Sequence, residues 1–223
     1  MSNGAPEAHV QLPKGDLFVD IEKTKDNFLF QRRFLQVLAE LTRDIPQPKV
    51  LDYGAGANPY NITLFSRIRR GQETVAYEPS LHQNIFKVGR ISNDVLWTKE
   101  APVGQRFDIV ICSFSLHHME RPPEEAISDL RDYKPALIAL SDYDFGGITL
   151  DEFRDIFLSE AEHEELQILF GGDLQKCFDF HRRFGLSAFR GALEQNGFHV
   201  AQMESGEGLA KNKFFMIGQA ATK

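Results

Sequence analysis

The stretch Lys49-Val50-Leu51-Asp52-Tyr53-Gly54-Ala55-Gly56-Ala57-Asn58-Pro59 constrains the fold of this chain more than any other. Val50 and Leu51 read as a buried strand. Gly54 and Gly56 permit positive φ and let a ligand approach bare backbone. Asn58 is a suitable N-cap, and Pro59 suits the first helical position. Together these residues predict a strand, a tight turn and a helix N-terminus, which offers N–H groups and a partial positive charge to an anionic ligand end.

The rest of the chain repeats that rhythm. A helical pattern over about Asp26–Arg43 carries Phe30, Phe34, Leu38 and Leu41 on one face and ends before Ile45-Pro46-Gln47-Pro48. After the first strand, Ile62, Leu64, Phe65 and Ile68 mark a helix closed at Gly71. Further strands are predicted at Thr74–Tyr77, Val95–Trp97, Phe107–Cys112 and Ala136–Leu140, with short helices at Leu81–Val88 and from Pro123 to about Tyr133. Apolar strands alternating with helices are the signature of a parallel sheet covered on both faces.

The rhythm breaks at residues 142–186. Asp151–Phe170 reads as helical, Gly171-Gly172 interrupts it, and a further helix carries Leu174, Cys177, Phe178 and His181. Ser187 is the expected N-cap of a last helix ending at Gly197, and Phe198–Ala201 and Phe214–Ile217 read as a closing antiparallel strand pair. The expected architecture is α/β: a three-layer Rossmann-like sheet of seven strands, the last antiparallel, with a helical lid inserted after strand 5. One domain spans residues 1–223: an N-terminal tail and cap helix (1–45), a cofactor half (46–141), the lid (142–186), and a last helix with strands 6 and 7 (187–223).

Ligands of open parallel sheets sit beyond the carboxyl ends of the strands. A dinucleotide fingerprint wants a third glycine at the position of Pro59, so a nicotinamide cofactor is disfavoured. Glu78 follows Gly56 by 22 residues, the spacing of an acid that binds a ribose hydroxyl. With Asp52 ahead of the glycines, these pieces resemble the class I S-adenosylmethionine (SAM) dependent methyltransferases of small-molecule type. Leu51-Asp52-Tyr53-Gly54-Ala55-Gly56, Val75-Ala76-Tyr77-Glu78-Pro79 and Phe107-Asp108-Ile109-Val110-Ile111-Cys112, followed by Ser113-Phe114-Ser115-Leu116-His117-His118, carry the resemblance over about Lys49–Leu140. The family often has a further glycine where Asn58 stands, and an acid where Trp97-Thr98-Lys99-Glu100 stands.

The resemblance implies SAM as cofactor. Gly54, Ala55 and Gly56 would pass under its methionine portion, with Asp52 near the ammonium or bracing the loop, and the helix start at Asn58 facing the carboxylate. Glu78, followed by Pro79, would accept from the ribose hydroxyls. Trp97 or Thr98 would flank the adenine, and Ser113 and Phe114 would lie near the sulfonium. A hydroxyl or acidic carbon acceptor needs a base, an amine only has to arrive neutral. His117 and His118, or Asp142, Tyr143 and Asp144, could supply one; the bland alternatives are a pocket-shaping pair and a helix cap. Tyr143 and His181 are candidates for touching the acceptor.

Net charge −7 and a pI near 5.5 disfavour nucleic acid and anionic membranes as partners. Cys112 and Cys177, the only cysteines, suggest no disulfide framework and point to the reducing cytoplasm. No apolar run approaches membrane-spanning length. The acidic run Glu160–Glu165 has no metal-ligand spacing and reads as a solvated helix face, so no metal is expected. The expected partner is a small-molecule methyl acceptor; the sequence sets neither its identity nor an oligomeric state. Methylation of RNA or protein, and SAM binding without turnover, are the competing readings.

Overall fold

The computed structural model describes residues 17–55, 62, 65, 68, 73–79, 95–119, 121–159, 163–207 and 210–221. Seven strands form one sheet: β1 Lys49–Tyr53, β2 Glu73–Tyr77, β3 Val95–Thr98, β4 Ile109–Ser113, β5 Leu137–Tyr143, β6 Phe198–Ser205 and β7 Lys213–Ala220. Their order is β3-β2-β1-β4-β5-β7-β6. The first five pair in parallel, and β7 runs antiparallel to both β5 and β6. The chain therefore reverses direction across the sheet between β1 and β4, and a ligand crevice belongs there.

Each sheet face has its own core. On one, Val50, Ile109, Ile111, Leu137, Ala139 and Phe215 meet Phe30, Phe34, Leu35 and Leu38 of α1 (Leu17–Leu41), with Ile62 and Phe65 beside them. On the other, Leu51, Val75, Val110, Ile138 and Leu140 meet α2 (Pro123–Arg131) and α6 (Leu186–Gln195). Because strand side chains alternate, each central strand is apolar on both sides and covered on both sides.

The helical segment after β5 contains α3 (Leu150–Ser159), α4 (His163–Phe170) and α5 (Leu174–His181). Its Phe145, Phe153, Phe178 and Phe184 belong to the same core as α2 and α6. The insertion is thus anchored in the domain core by these rings.

Five boundaries differ from the sequence expectation. Helix α1 begins at Leu17, well before Asp26, because nothing between Gly15 and Pro46 breaks a helix even where the apolar repeat is absent. The single pattern over Asp151–Phe170 is two helices, α3 and α4. Strand β5 runs on to Tyr143, since antiparallel pairing with β7 continues to Tyr143↔Lys213. Asp142 and Tyr143 are therefore strand residues, not loop residues. Strands β6 and β7 are longer than predicted, their pairing crossing an irregularity between Val200 and Gln202. Finally, α6 starts at Leu186 with Gly185 as N-cap, so Ser187 lies inside the helix. The cap comes from across the chain, where the Asp144 carboxylate accepts from the Leu186 amide at 2.9 Å.

Candidate active site

Past the ends of β1, β2 and β4 lies a cavity of about 460 Å³ lined by Tyr53, Gly54, Tyr77, Glu78, Pro79, Phe114, Ser115, His118 and Met119. Gly54 has φ of +72°, and a Cβ there would lie 2.5 Å from Cβ of Ser115. Only glycine fits, on conformational and steric grounds alike. Ser115 stays in place by donating to the Tyr53 carbonyl at 3.1 Å.

The turn amides are arranged differently from the sequence expectation. Gly54 N–H and Ala55 N–H both donate to the Tyr77 carbonyl, at 2.9 and 3.0 Å. They lock the end of β1 to β2 instead of standing open to a ligand. Glu78 is fixed in turn, its amide donating to the Thr98 carbonyl at 3.0 Å. Thr98 thus acts through its backbone, while its hydroxyl is engaged with Glu100. Gly56 and Asn58, and the side chain of Trp97, lie outside the described residues, as does the segment Leu81–Val88.

Asp52 and Glu78 are 2% and 9% exposed. Asp52 sits opposite Ala76 in the register, so Glu78 lies two residues further along β2 on the same face. Burial, then the charge of Glu78, pushes the Asp52 carboxyl up to about 7. This is a site that a cation would relieve.

Beyond β4 the backbone is strained. Phe114 has φ of +52°, unusual for a bulky residue, and its amide donates to the Ser141 carbonyl at 2.7 Å. That conformation turns its ring toward the cavity and against Tyr143, 5.2 Å away between centroids. Ser113 is one step back, its hydroxyl buried and without a hydrogen bond among the described residues.

The structure splits the histidine pair. His118 is exposed and lines the cavity. His117 is wholly buried, its Nδ1 2.5 Å from Oδ1 of Asp142, which is 2% exposed and also accepts from the Tyr143 amide at 2.8 Å. Burial lowers the His117 pKa despite the opposing pull of Asp142. The ring is therefore neutral, with Nδ1–H donating to the carboxylate, and Nε2 makes no hydrogen bond among the described residues. The two imidazoles are in contact, their centroids 4.0 Å apart and their planes tilted by 42°.

Tyr143 and His181 were expected to touch the acceptor, yet both are buried. Nδ1 of His181 lies 2.8 Å from the Cys177 carbonyl, and its ring sits among Phe145, Phe153 and Phe180. Asp144 is a helix cap. Tyr53, Tyr77, Ser115 and Met119 line the cavity without having been singled out from the sequence. Strand alternation could have found Tyr53 and Tyr77, which meet at 5.0 Å on one face. Lys213 also escaped notice: buried at the start of β7, it lies over the rings of Phe114 and Tyr143 at 4.9 and 4.5 Å. Among the described residues no His, Cys, Asp and Glu cluster could hold a metal ion, and no helix is long and apolar enough to cross a membrane.

The glycine turn, the paired acids and the crevice at the sheet's switch point define a nucleoside-binding α/β enzyme. Residues 25–203 match the family described as Methyltransferase domain, and the chain belongs to it: it is a SAM-dependent methyltransferase of class I fold. Magnesium protoporphyrin IX methyltransferase from Synechocystis PCC 6803, with bound S-adenosylhomocysteine (SAH), is 19% identical, covering 95% of this chain and 89% of that one at a TM-score of 0.58. Burkholderia thailandensis 1,6-didemethyltoxoflavin-N1-methyltransferase is 13% identical, covering 96% and 94% at 0.57. The plantazolicin methyltransferase bound to SAH is 14% identical, covering 91% and 87% at 0.59. At these identities the likeness is one of fold. No curated protein sequence matches the chain.

Proposed function

We propose that the enzyme methylates a small molecule, with SAM held between Gly54 and Glu78 and the acceptor approaching past Phe114, His118 and Met119. The observation that carries this reading is the single cavity shared by Gly54 and Glu78 on one side and Phe114, Ser115, His118 and Met119 on the other. The site residues fit the cofactor: Glu78 offers acceptors for ribose hydroxyls, and buried Asp52 adds a second acid where positive charge is welcome. When bound, SAM supplies a methyl group on a positively charged sulfur, open to in-line displacement.

The chain then has to align a nucleophile and, for a hydroxyl or carbon acid, remove its proton. His118 is the imidazole within reach of the cavity and is the group we assign as base. His117, held by Asp142, lies against it as a neutral ring beside an imidazole that becomes cationic when it takes the proton. Phe114, pinned by Ser141, and Tyr143 behind it form the apolar wall that excludes water from the acceptor. Net charge −7 supports a small acceptor over a nucleic acid. The magnesium protoporphyrin IX and 1,6-didemethyltoxoflavin enzymes, named for small acceptors, support the same reading. Two buried free thiols suit the reducing cytoplasm.

Calorimetry with SAM, SAH and NAD tests the donor: SAM and SAH bind, and binding of NAD alone would sink the reading. Glu78→Ala should weaken SAM by more than about tenfold through loss of charged hydrogen bonds. A metabolite screen with methyl-labelled SAM, read by mass spectrometry, identifies the acceptor.

A further inference from the structure

Because β7 runs antiparallel to β5, its first residue lies at the edge of the sheet where the parallel strands end. That residue is Lys213, paired in register with Tyr143, the last residue of β5. Its backbone is held from both sides. The Gly206 amide donates to the Lys213 carbonyl at 2.7 Å, and the Asp144 amide donates to the neighbouring Asn212 carbonyl at 2.8 Å. The side chain is turned into the protein, and Lys213 is 7% exposed. Lys211, two residues earlier, behaves as lysines ordinarily do: its side chain is 63% exposed and reaches Glu152 at 3.3 Å on the surface.

Among the described residues, Lys213 is the one lysine or arginine that is buried. Its Nζ lies 4.5 Å from the ring centroid of Tyr143 and 4.9 Å from that of Phe114. An ammonium is costly to withdraw from water, and two ring faces attract it electrostatically. Phe114 lines the cavity together with His118 and Met119. The wall past which the acceptor comes is therefore backed by a cation. A charge set in a wall of low dielectric acts over several ångströms with little screening. The acids stand on the other side: in the strand order β2-β1-β4-β5-β7, Glu78 follows β2 and Asp52 lies in β1, while Lys213 starts β7. Asp142, on β5, is engaged by His117. The strand ends thus run from negative at the glycine turn to positive beyond Phe114.

We propose that Lys213 makes the acceptor side of the cavity selective for an anionic small molecule, one that carries a carboxylate or another acidic group. The assignment rests on the methyl-transfer reading above and narrows its substrate class. Lys213 acts through the Phe114 wall by its field, as a specificity-determining residue and not a catalytic one. It favours an anion over a neutral molecule of the same shape, and it opposes a cation such as a protonated amine. Its effect falls on acceptor binding, because the charge is present before and during the reaction alike.

The experiment uses the full chain with saturating methyl-labelled SAM. As acceptor it takes an aqueous metabolite extract, split on an anion-exchange resin into retained and unretained fractions. The wild type should place the label in the retained fraction. Lys213→Met, close in shape and uncharged, should raise the KM for that acceptor at least about fivefold, the scale of one charge acting across such a wall. Its kcat should change by less than about twofold. Lys213→Arg keeps the charge over the rings and should stay within about threefold of the wild type. SAH affinity, from calorimetry, should hold within about threefold in both variants. Label carried only into the unretained fraction, or into neither while SAH still binds, would overturn the proposal. So would a Lys213→Met enzyme with an unchanged KM, or one that loses SAH as strongly as acceptor, which would make Lys213 merely structural. A wild-type protein that binds neither SAM nor SAH would instead sink the functional reading beneath it.

Discussion

Two glycine contacts organise this molecule, and they differ in reach. At the turn after β1, Gly54 lies against Ser115, and its backbone conformation is the left-handed one. At the other, Gly185 lies against Gly146: a Cβ on Gly185 would sit 2.9 Å from the Gly146 backbone. The first holds the turn after β1 against the segment after β4, across the sheet's switch point, and lines the candidate cavity. The second brings together the two ends of the helical insertion, so that the segment leaves the sheet after Asp144 and returns beside it. Asp144 serves both ends, sitting against Gly146 and Gly147 while capping α6. The cavity is therefore built where β1, β2 and β4 end side by side, and the insertion from aromatic packing, while the buried His117–Asp142 pair ties the segment after β4 to β5.

Asp52 and His117 should answer pH with opposite signs, and the largest expected effect lies at Asp52. Asp52 holds its proton more tightly in the folded chain, with a carboxyl at about 7 against 3.8 for the ordinary group. Between those values the folded chain carries the extra proton, so rising pH lowers stability, and above about 7 the full penalty is present. Asp52→Asn should stabilise the cofactor-free protein by up to roughly 4 kcal/mol at pH 8 and flatten that slope. Urea unfolding from pH 4 to 8 measures it; a variant less stable than wild type at pH 8 would break the comparison.

At the pair formed with Asp142, burial keeps the folded-state pKa of His117 below the ordinary 6.5. The unfolded chain takes up this proton first, so stability falls as pH drops through 6.5 and does not vary with this group above it. Asp142→Ala leaves the His117 N–H and the Tyr143 amide without their acceptor. It should lower stability by about 3 kcal/mol, seen as a reduced urea midpoint at pH 7.5. An Asp142→Ala protein as stable as wild type would remove the dyad from the account.

Gly185→Val sharpens the comparison at the next size down. Overpacking against Gly146 should cost about 2 kcal/mol. Because Gly185 is not part of the cavity lining, SAH affinity should change by less than about threefold once the protein is folded. A large loss of SAH affinity would mean that the two halves are coupled. The smallest effect is expected at the surface, where Arg33 of α1 meets Glu204 of β6 at 2.8 Å with about half of the arginine side chain exposed. Glu204→Gln should change the melting temperature by no more than an exposed ion pair contributes, under about 1 kcal/mol.

The same division explains what could be read in advance. The turn at Gly54 and the strand expected at Phe107–Cys112, found at Ile109–Ser113, were legible because turn chemistry and strand period are written locally. The order of the two histidines was not legible. Adjacent residues in a 3₁₀ turn point different ways, and only Asp142, arriving on β5, selects His117 as its partner and leaves His118 to the cavity. Asp144 reads as an acidic loop residue until α6 is seen to start against it.

By itself, then, the sequence determined the parallel α/β sheet through apolar periodicity, and its motifs carried the resemblance that names the cofactor. Tertiary structure alone decided that the turn amides are consumed by Tyr77, that aromatic rings of the insertion enter the core, and that Gln31 donates to Ser141. Those facts depend on which strand ends lie side by side and on which helix crosses them. Burial, not residue identity, then sets which acid holds a proton and which imidazole stays neutral.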